Sequence, residues 1–99
     1  MTSICFAGVT GWTAPPILAA IHRAEDLHLV AGVSRSAAGQ SLAEATGIDT
    51  PGQVHATVAD ALQATSADVL VDFTSASAVM GNTLAAIDAG THVVVAPAD

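Results

Sequence analysis

The chain has 99 residues, 52% hydrophobic and 11% charged, which fits one domain with enough apolar side chain to fill a core. Its net charge is −7, it has no lysine, and Arg23 and Arg35 are its only strong bases, which excludes nucleic acid as a partner. No apolar run approaches the ~20 residues of a membrane span, no basic stretch precedes an apolar segment, and the single cysteine rules out an internal disulfide, so a cytoplasmic location is expected.

The first predicted strand runs from Ser3 to Ala7, with Cys5 as a buried structural thiol. A glycine-rich bend, Gly8-Val9-Thr10-Gly11-Trp12-Thr13-Ala14, leads into a helix over Thr13 to Ala24. Pro15 and Pro16 fall in the first turn of that helix, where a missing N–H costs little. Leu27 to Val33 reads as a second strand, ended by Ser34-Arg35-Ser36. A short helix covers Gln40 to Thr46 and stops at Gly47, and Ile48 to Gly52 is loop.

Val54 to Ala56 is a weak third strand, after which Thr57 caps a helix over Val58 to Ala64. The fourth strand, Asp68 to Asp72, is expected to bury Val69, Leu70 and Val71 on both sides. Thr74 or Ser75 caps a longer helix, Ala76 to Ala89, in which Val79, Met80, Leu84 and Ile87 recur at helical spacing before Gly90. Thr91 to Ala96 forms the fifth strand, followed by three residues. Strands alternating with helices at this spacing predict an α/β fold, a Rossmann-like parallel sheet of order 3-2-1-4-5 with helices on both faces. Ligands of such sheets sit at the carboxyl ends of the strands, so groups closing over that end are expected from outside this chain.

The strand–bend–helix unit is where the chemistry concentrates. A helix N-terminus presents unpaired N–H groups and a positive dipole end, and glycine in the turn lets a phosphate approach the backbone. Gly8, Val9, Thr10, Gly11, Trp12 and Thr13 therefore read as the pyrophosphate grip of a dinucleotide, or else as a tight turn that packs helix on strand. The end of the second strand carries Ser34 and Arg35 where a carboxylate would select NAD. A guanidinium pairs with a 2′-phosphate, so NADPH is expected over NADH, with a solvated loop charge as the alternative role for Arg35.

Asp72, at the end of a buried strand, is expected to accept backbone N–H bonds from neighbouring loops. Phe73 and Thr74 would lie beside the dinucleotide, or simply form a strand end and a cap. His22, His28, His55 and His92 have no ligand spacing, so no metal site is expected, and no nucleophile–base pair suggests a catalytic residue in this chain.

Gly8-Val9-Thr10-Gly11-Trp12-Thr13, Ser34-Arg35, Val71-Asp72-Phe73-Thr74 and Ala78-Val79-Met80-Gly81-Asn82 together resemble the N-terminal domain of dihydrodipicolinate reductase over essentially the whole chain. The resemblance implies an NADH- or NADPH-dependent reduction of a cyclic imine in the diaminopimelate and lysine pathway. It implies that Gly8 to Thr13 wrap the pyrophosphate, Ser34 and Arg35 meet the adenosine ribose, and Phe73, Thr74, Ala96, Pro97 and Ala98 line the nicotinamide side. It also implies a second domain, outside this chain, that carries the catalytic His and Lys and builds a homotetramer.

Three departures from the family pattern stand out. Trp12-Thr13 replaces Arg-Met, Ser34 replaces an acidic residue, and Ala96-Pro97-Ala98-Asp99 replaces a Gly-Thr-Thr-Gly-type loop. Pro97 brings no N–H to the nicotinamide. Two other functions fit the same sequence: a non-catalytic NAD(P)-binding or sensor module, and the cofactor half of another oxidoreductase such as an amino-acid dehydrogenase.

Overall fold

The computed structural model describes residues 2–95. Runs of β-branched and small apolar residues form β1 (Thr2–Ala7), β2 (Leu27–Val33), β3 (Gln53–His55), β4 (Val69–Asp72) and β5 (His92–Val95). Between them lie α1 (Ala14–Arg23), α2 (Leu42–Thr46), α3 (Val58–Ala64) and α4 (Ala76–Asp88). The sheet order is β3-β2-β1-β4-β5, and each neighbouring pair is parallel. The order reverses at β1, so the crevice above its carboxyl end is flanked by β2 and β4.

Local chemistry sets the helix ends. Ser41 caps α2 through a capping box with Glu44, so this helix starts at Leu42 rather than Gln40, and Gly47 closes it at φ +75°. Thr57 caps α3, its Oγ1 accepting the Asp60 N–H at 3.1 Å. Ser75 takes the cap position of α4, but its hydroxyl turns to Ser77 at 3.0 Å and caps no N–H.

The two faces of the sheet carry separate cores. Ile4, Phe6, Val9, Leu18, Ile21, Leu29, Leu42 and Val54 pack on the α1 side. Cys5, Ala7, Ala31, Val33, Val58, Ala61, Leu70 and Ala86 pack on the α3–α4 side. Cys5 is fully buried, and burial pushes its thiol up to about 12, so it remains protonated and inert at neutral pH.

One expectation is corrected here. Of Val69, Leu70 and Val71, only Leu70 is fully buried. On α4, Met80, Leu84 and Ile87 are 59–71% exposed, and the buried contact is made by Ala86 with Ala85 beside it. α4 is apolar around most of its circumference, so spacing alone does not select a face. Alanines face the sheet, where a small side chain lets helix and strand approach closely. Val94 and Val95 on β5 are also exposed, at 54% and 44%.

At the opposite end of the sheet Ser3 ties β1 to the start of β4. Its N–H and hydroxyl donate to Asp68 Oδ2 at 2.9 and 3.1 Å, and the Asp68 N–H returns to the Ser3 carbonyl at 2.9 Å. The bond from the Ser3 N–H, then that from its hydroxyl, hold the Asp68 carboxyl below its ordinary value. A depressed folded-state pKa adds stability above the unfolded carboxylate value and loses it as pH falls through the folded one. Asp68→Ala should therefore flatten the acid limb of a stability-against-pH curve below about pH 4, leaving the shape at neutral pH and above unchanged.

Gly8 sits at φ +88°, and a Cβ there would lie 2.7 Å from the carbonyl oxygen of Phe73. Gly39, at φ +92°, has open space around the same position. Gly8→Ala should cost about 2–4 kcal/mol and lower Tm by about 10 °C or more, whereas Gly39→Ala should cost about 1 kcal/mol. Equal shifts in thermal unfolding would show that the Phe73 contact does not constrain the bend.

Candidate functional site

The bend between β1 and α1 is held from both flanks. The Val33 carbonyl at the end of β2 accepts the N–H groups of Gly8 at 2.9 Å and Val9 at 3.3 Å. On the other side Gly8 is pressed against the backbone of Phe73. The Gly11 N–H closes back on the Gly8 carbonyl at 2.9 Å, and that of Ala14 on Gly11 at 3.3 Å.

Pro15 and Pro16 contribute no N–H to the first turn of α1. What remains at this end of the helix is the N–H groups of Thr10, Trp12 and Thr13, which donate to no acceptor among the described residues. Of the six residues Gly8 to Thr13, these three have a backbone donor without an acceptor among the described residues, beside the positive end of the α1 dipole.

Beside the bend, the end of β2 carries a chain of hydroxyls. Thr10 Oγ1 lies 2.8 Å from Ser34 Oγ, and Ser34 Oγ lies 3.1 Å from Ser36 Oγ. The Ala37 N–H also points to Ser34 Oγ, at 3.4 Å. Arg35, between the two serines, is exposed.

The end of β4 is organised by Asp72, which is fully buried. Its Oδ1 accepts the N–H of Thr74 at 3.0 Å together with the Thr74 hydroxyl. Its Oδ2 accepts Asn82 Nδ2 from α4 at 3.2 Å, and the same amide donates to Thr74 Oγ1 at 3.3 Å. The carboxylate was expected to gather backbone donors from neighbouring loops. It instead takes one from its own loop, two residues on, and draws its other donors from side chains.

These three strand ends enclose a cleft of about 500 Å³. Of the residues singled out from the sequence, Gly8, Thr10, Gly11, Ser34, Arg35 and Thr74 line it. Val9 does not, because its side chain is buried in the α1-side core. Trp12 is fully exposed and Thr13 is exposed, so their contribution at the bend is backbone. Phe73 packs inward, with its ring stacked on Phe6 at 5.2 Å between centroids, and so is not part of the cleft wall. Ala96, Pro97 and Ala98 lie outside the described residues.

Ser36, Thr57, Ser75 and Asn82 also line the cleft and were not assigned to it from sequence. Ser36 could have been found from its place in Ser-Arg-Ser, and Asn82 from its place in the Ala78–Asn82 stretch that carries the family resemblance. Among the described residues the lining includes one cation, Arg35, and no carboxylate. That local balance suits an anionic ligand despite the overall charge of −7. The unspent N–H groups, the hydroxyl chain and the guanidinium fit a phosphorylated dinucleotide.

A family model described as "Dihydrodipicolinate reductase, N-terminus" matches residues 2–97. The 4-hydroxy-tetrahydrodipicolinate reductase of Thermosynechococcus vestitus (strain NIES-2133 / IAM M-273 / BP-1) is 33% identical over 98 residues. That alignment covers 94% of this chain and 36% of the relative, so the chain spans about a third of the relative's length.

Two solved structures show the same fold. A dipicolinate-bound dihydrodipicolinate reductase from Paenisporosarcina sp. TG-14 superposes with a TM-score of 0.80 at 18% identity, covering 99% of this chain and 38% of that one. An aspartate semialdehyde dehydrogenase with NADP from Candida albicans gives a TM-score of 0.78 at 15% identity, covering 98% and 30%.

Proposed function

This chain belongs to the dihydrodipicolinate reductase family, and on that footing we propose that it is the half of such a reductase that holds NADPH, and NADH more weakly. The observation that carries this is the cleft itself: unspent backbone donors at the glycine bend adjoin a hydroxyl chain and an arginine, with no acid in the wall among the described residues. The pyrophosphate meets the N–H groups of Thr10, Trp12 and Thr13, with Gly11 allowing close approach. The 2′-phosphate meets Arg35 as a bidentate pair, with one hydroxyl proton left for it by the bonded Ser34–Ser36 pair. A carboxylate in place of Ser34 would repel that phosphate.

The nicotinamide end extends toward Thr74, on the far side of the bend. Phe73 supports this end from behind by fixing the backbone against Gly8. Ala96, Pro97 and Ala98 are assigned to the nicotinamide ribose on the family resemblance. When bound, the nicotinamide supplies the hydride. The residues of this chain bind and orient the dinucleotide, and none of them is placed as a proton donor to substrate.

The substrate is the cyclic imine of the diaminopimelate and lysine pathway, and its catalytic His and Lys belong to a further domain that also builds a homotetramer. Residues 1–99 are then one dinucleotide-binding domain of a cytoplasmic enzyme. The exposed Met80, Leu84 and Ile87 on α4, with Val94 on β5, support a further packing partner for this domain. Among the described residues no helix is long and apolar enough to cross a membrane.

Titration with NADPH and NADH tests the cofactor assignment. Arg35→Ala should raise the Kd for NADPH roughly ten- to a hundredfold, the equivalent of one charged hydrogen-bonded contact, and leave that for NADH within about twofold. An unchanged NADPH affinity would remove the 2′-phosphate contact from the account.

A further inference from the structure

We propose that Asp72, Thr74 and Asn82 form a corner of fixed hydrogen-bond polarity that selects the carboxamide of the nicotinamide ring over a carboxylate at the same position. The inference rests on the dinucleotide reading above and concerns what the far end of the cleft recognises.

Accounting for protons fixes the polarity. In the three bonds they make both Asp72 oxygens accept, Oδ1 from the Thr74 N–H and hydroxyl and Oδ2 from Asn82 Nδ2, so the Thr74 hydroxyl proton is spent on Oδ1. Thr74 Oγ1 can then only accept, which it does from Asn82 Nδ2 at 3.3 Å. The same Nδ2 group donates its other proton to Asp72 Oδ2 at 3.2 Å. With two acceptors facing it, the amide of Asn82 has a single satisfactory orientation, nitrogen toward Asp72 and Thr74.

Every donor in the cluster is thereby consumed. What Thr74 and Asn82 have left to offer in the cleft wall is a hydroxyl lone pair and the Asn82 Oδ1, which has no partner among the described residues. A group that sits against them must donate.

A carboxamide brings two N–H donors. A ring carboxylate brings none, carries a negative charge, and would meet only lone pairs. A site built this way discriminates through the unpaired polar groups that the wrong ligand leaves. Asp72 touches no ligand in this arrangement; it is a positioning residue that dictates which way its two neighbours face.

Calorimetric titration of the full chain with NADP⁺ and with nicotinic acid adenine dinucleotide phosphate tests this without any substitution. NADP⁺ should bind about tenfold tighter or more. Thr74→Val and Asn82→Leu should each weaken NADP⁺ and bring the two ligands within about twofold of each other, while Thr74→Ser, which keeps the hydroxyl, should retain the preference. Adenosine 2′,5′-bisphosphate, which reaches only the adenosine end, should bind all four proteins alike and so report an intact fold.

Equal binding of the two dinucleotides by the unaltered chain would overturn the inference while leaving the dinucleotide reading in place, as would a preference that survives both Thr74→Val and Asn82→Leu. Failure of NADP⁺ and the bisphosphate alike to bind the unaltered chain would remove the dinucleotide reading and this inference with it.

Discussion

A single carbonyl and a single glycine fix the shape of the cleft. The Val33 oxygen accepts from both Gly8 and Val9, anchoring the bend to β2, and Gly8 fits against the Phe73 backbone, anchoring it to β4. Because these inner N–H groups are consumed, the bend has its donors at its outer residues, Thr10, Trp12 and Thr13. Because Pro15 and Pro16 follow at once, the helix itself adds few donors and contributes mainly its dipole. The unspent donors therefore belong to the loop, held by its neighbours, more than to the helix end.

From this bend the chemistry divides in two directions. Toward β2, hydroxyls and a guanidinium can donate; toward β4, a buried carboxylate uses up the donors around it and leaves acceptors exposed. The two ends of the cleft thus differ in polarity, as suits a ligand with a phosphate at one end and an amide at the other. Long-range charge works against such a ligand in a protein of net charge −7, so attraction has to be local and should weaken little with salt compared with a broadly basic surface.

What sequence could reveal follows the range of the interaction. The Thr57 cap and the Gly47 stop are set by neighbours in the chain and are readable there, and the strand order follows from the alternation of strands with helices. The hydroxyl chain from Thr10 to Ser34 and the Asp72–Asn82 bond join separate elements, and no local pattern announces them. The inward turn of Phe73 has a related reason: an aromatic at a strand end faces the core or the cleft according to what lies beneath it, here Phe6. On α4 helical spacing does not mark the buried face, because alanine, not the larger Met80, Leu84 or Ile87, suits the close approach to the sheet.

The central claim is that the outer N–H groups of the Gly8–Thr13 bend hold a diphosphate. Amide chemical shifts of the ¹⁵N-labelled chain during titration with NADPH test it most directly. The account predicts that the largest changes fall on Thr10, Gly11, Trp12 and Thr13. A saturating cofactor that moves other amides and leaves these four where they were would contradict it.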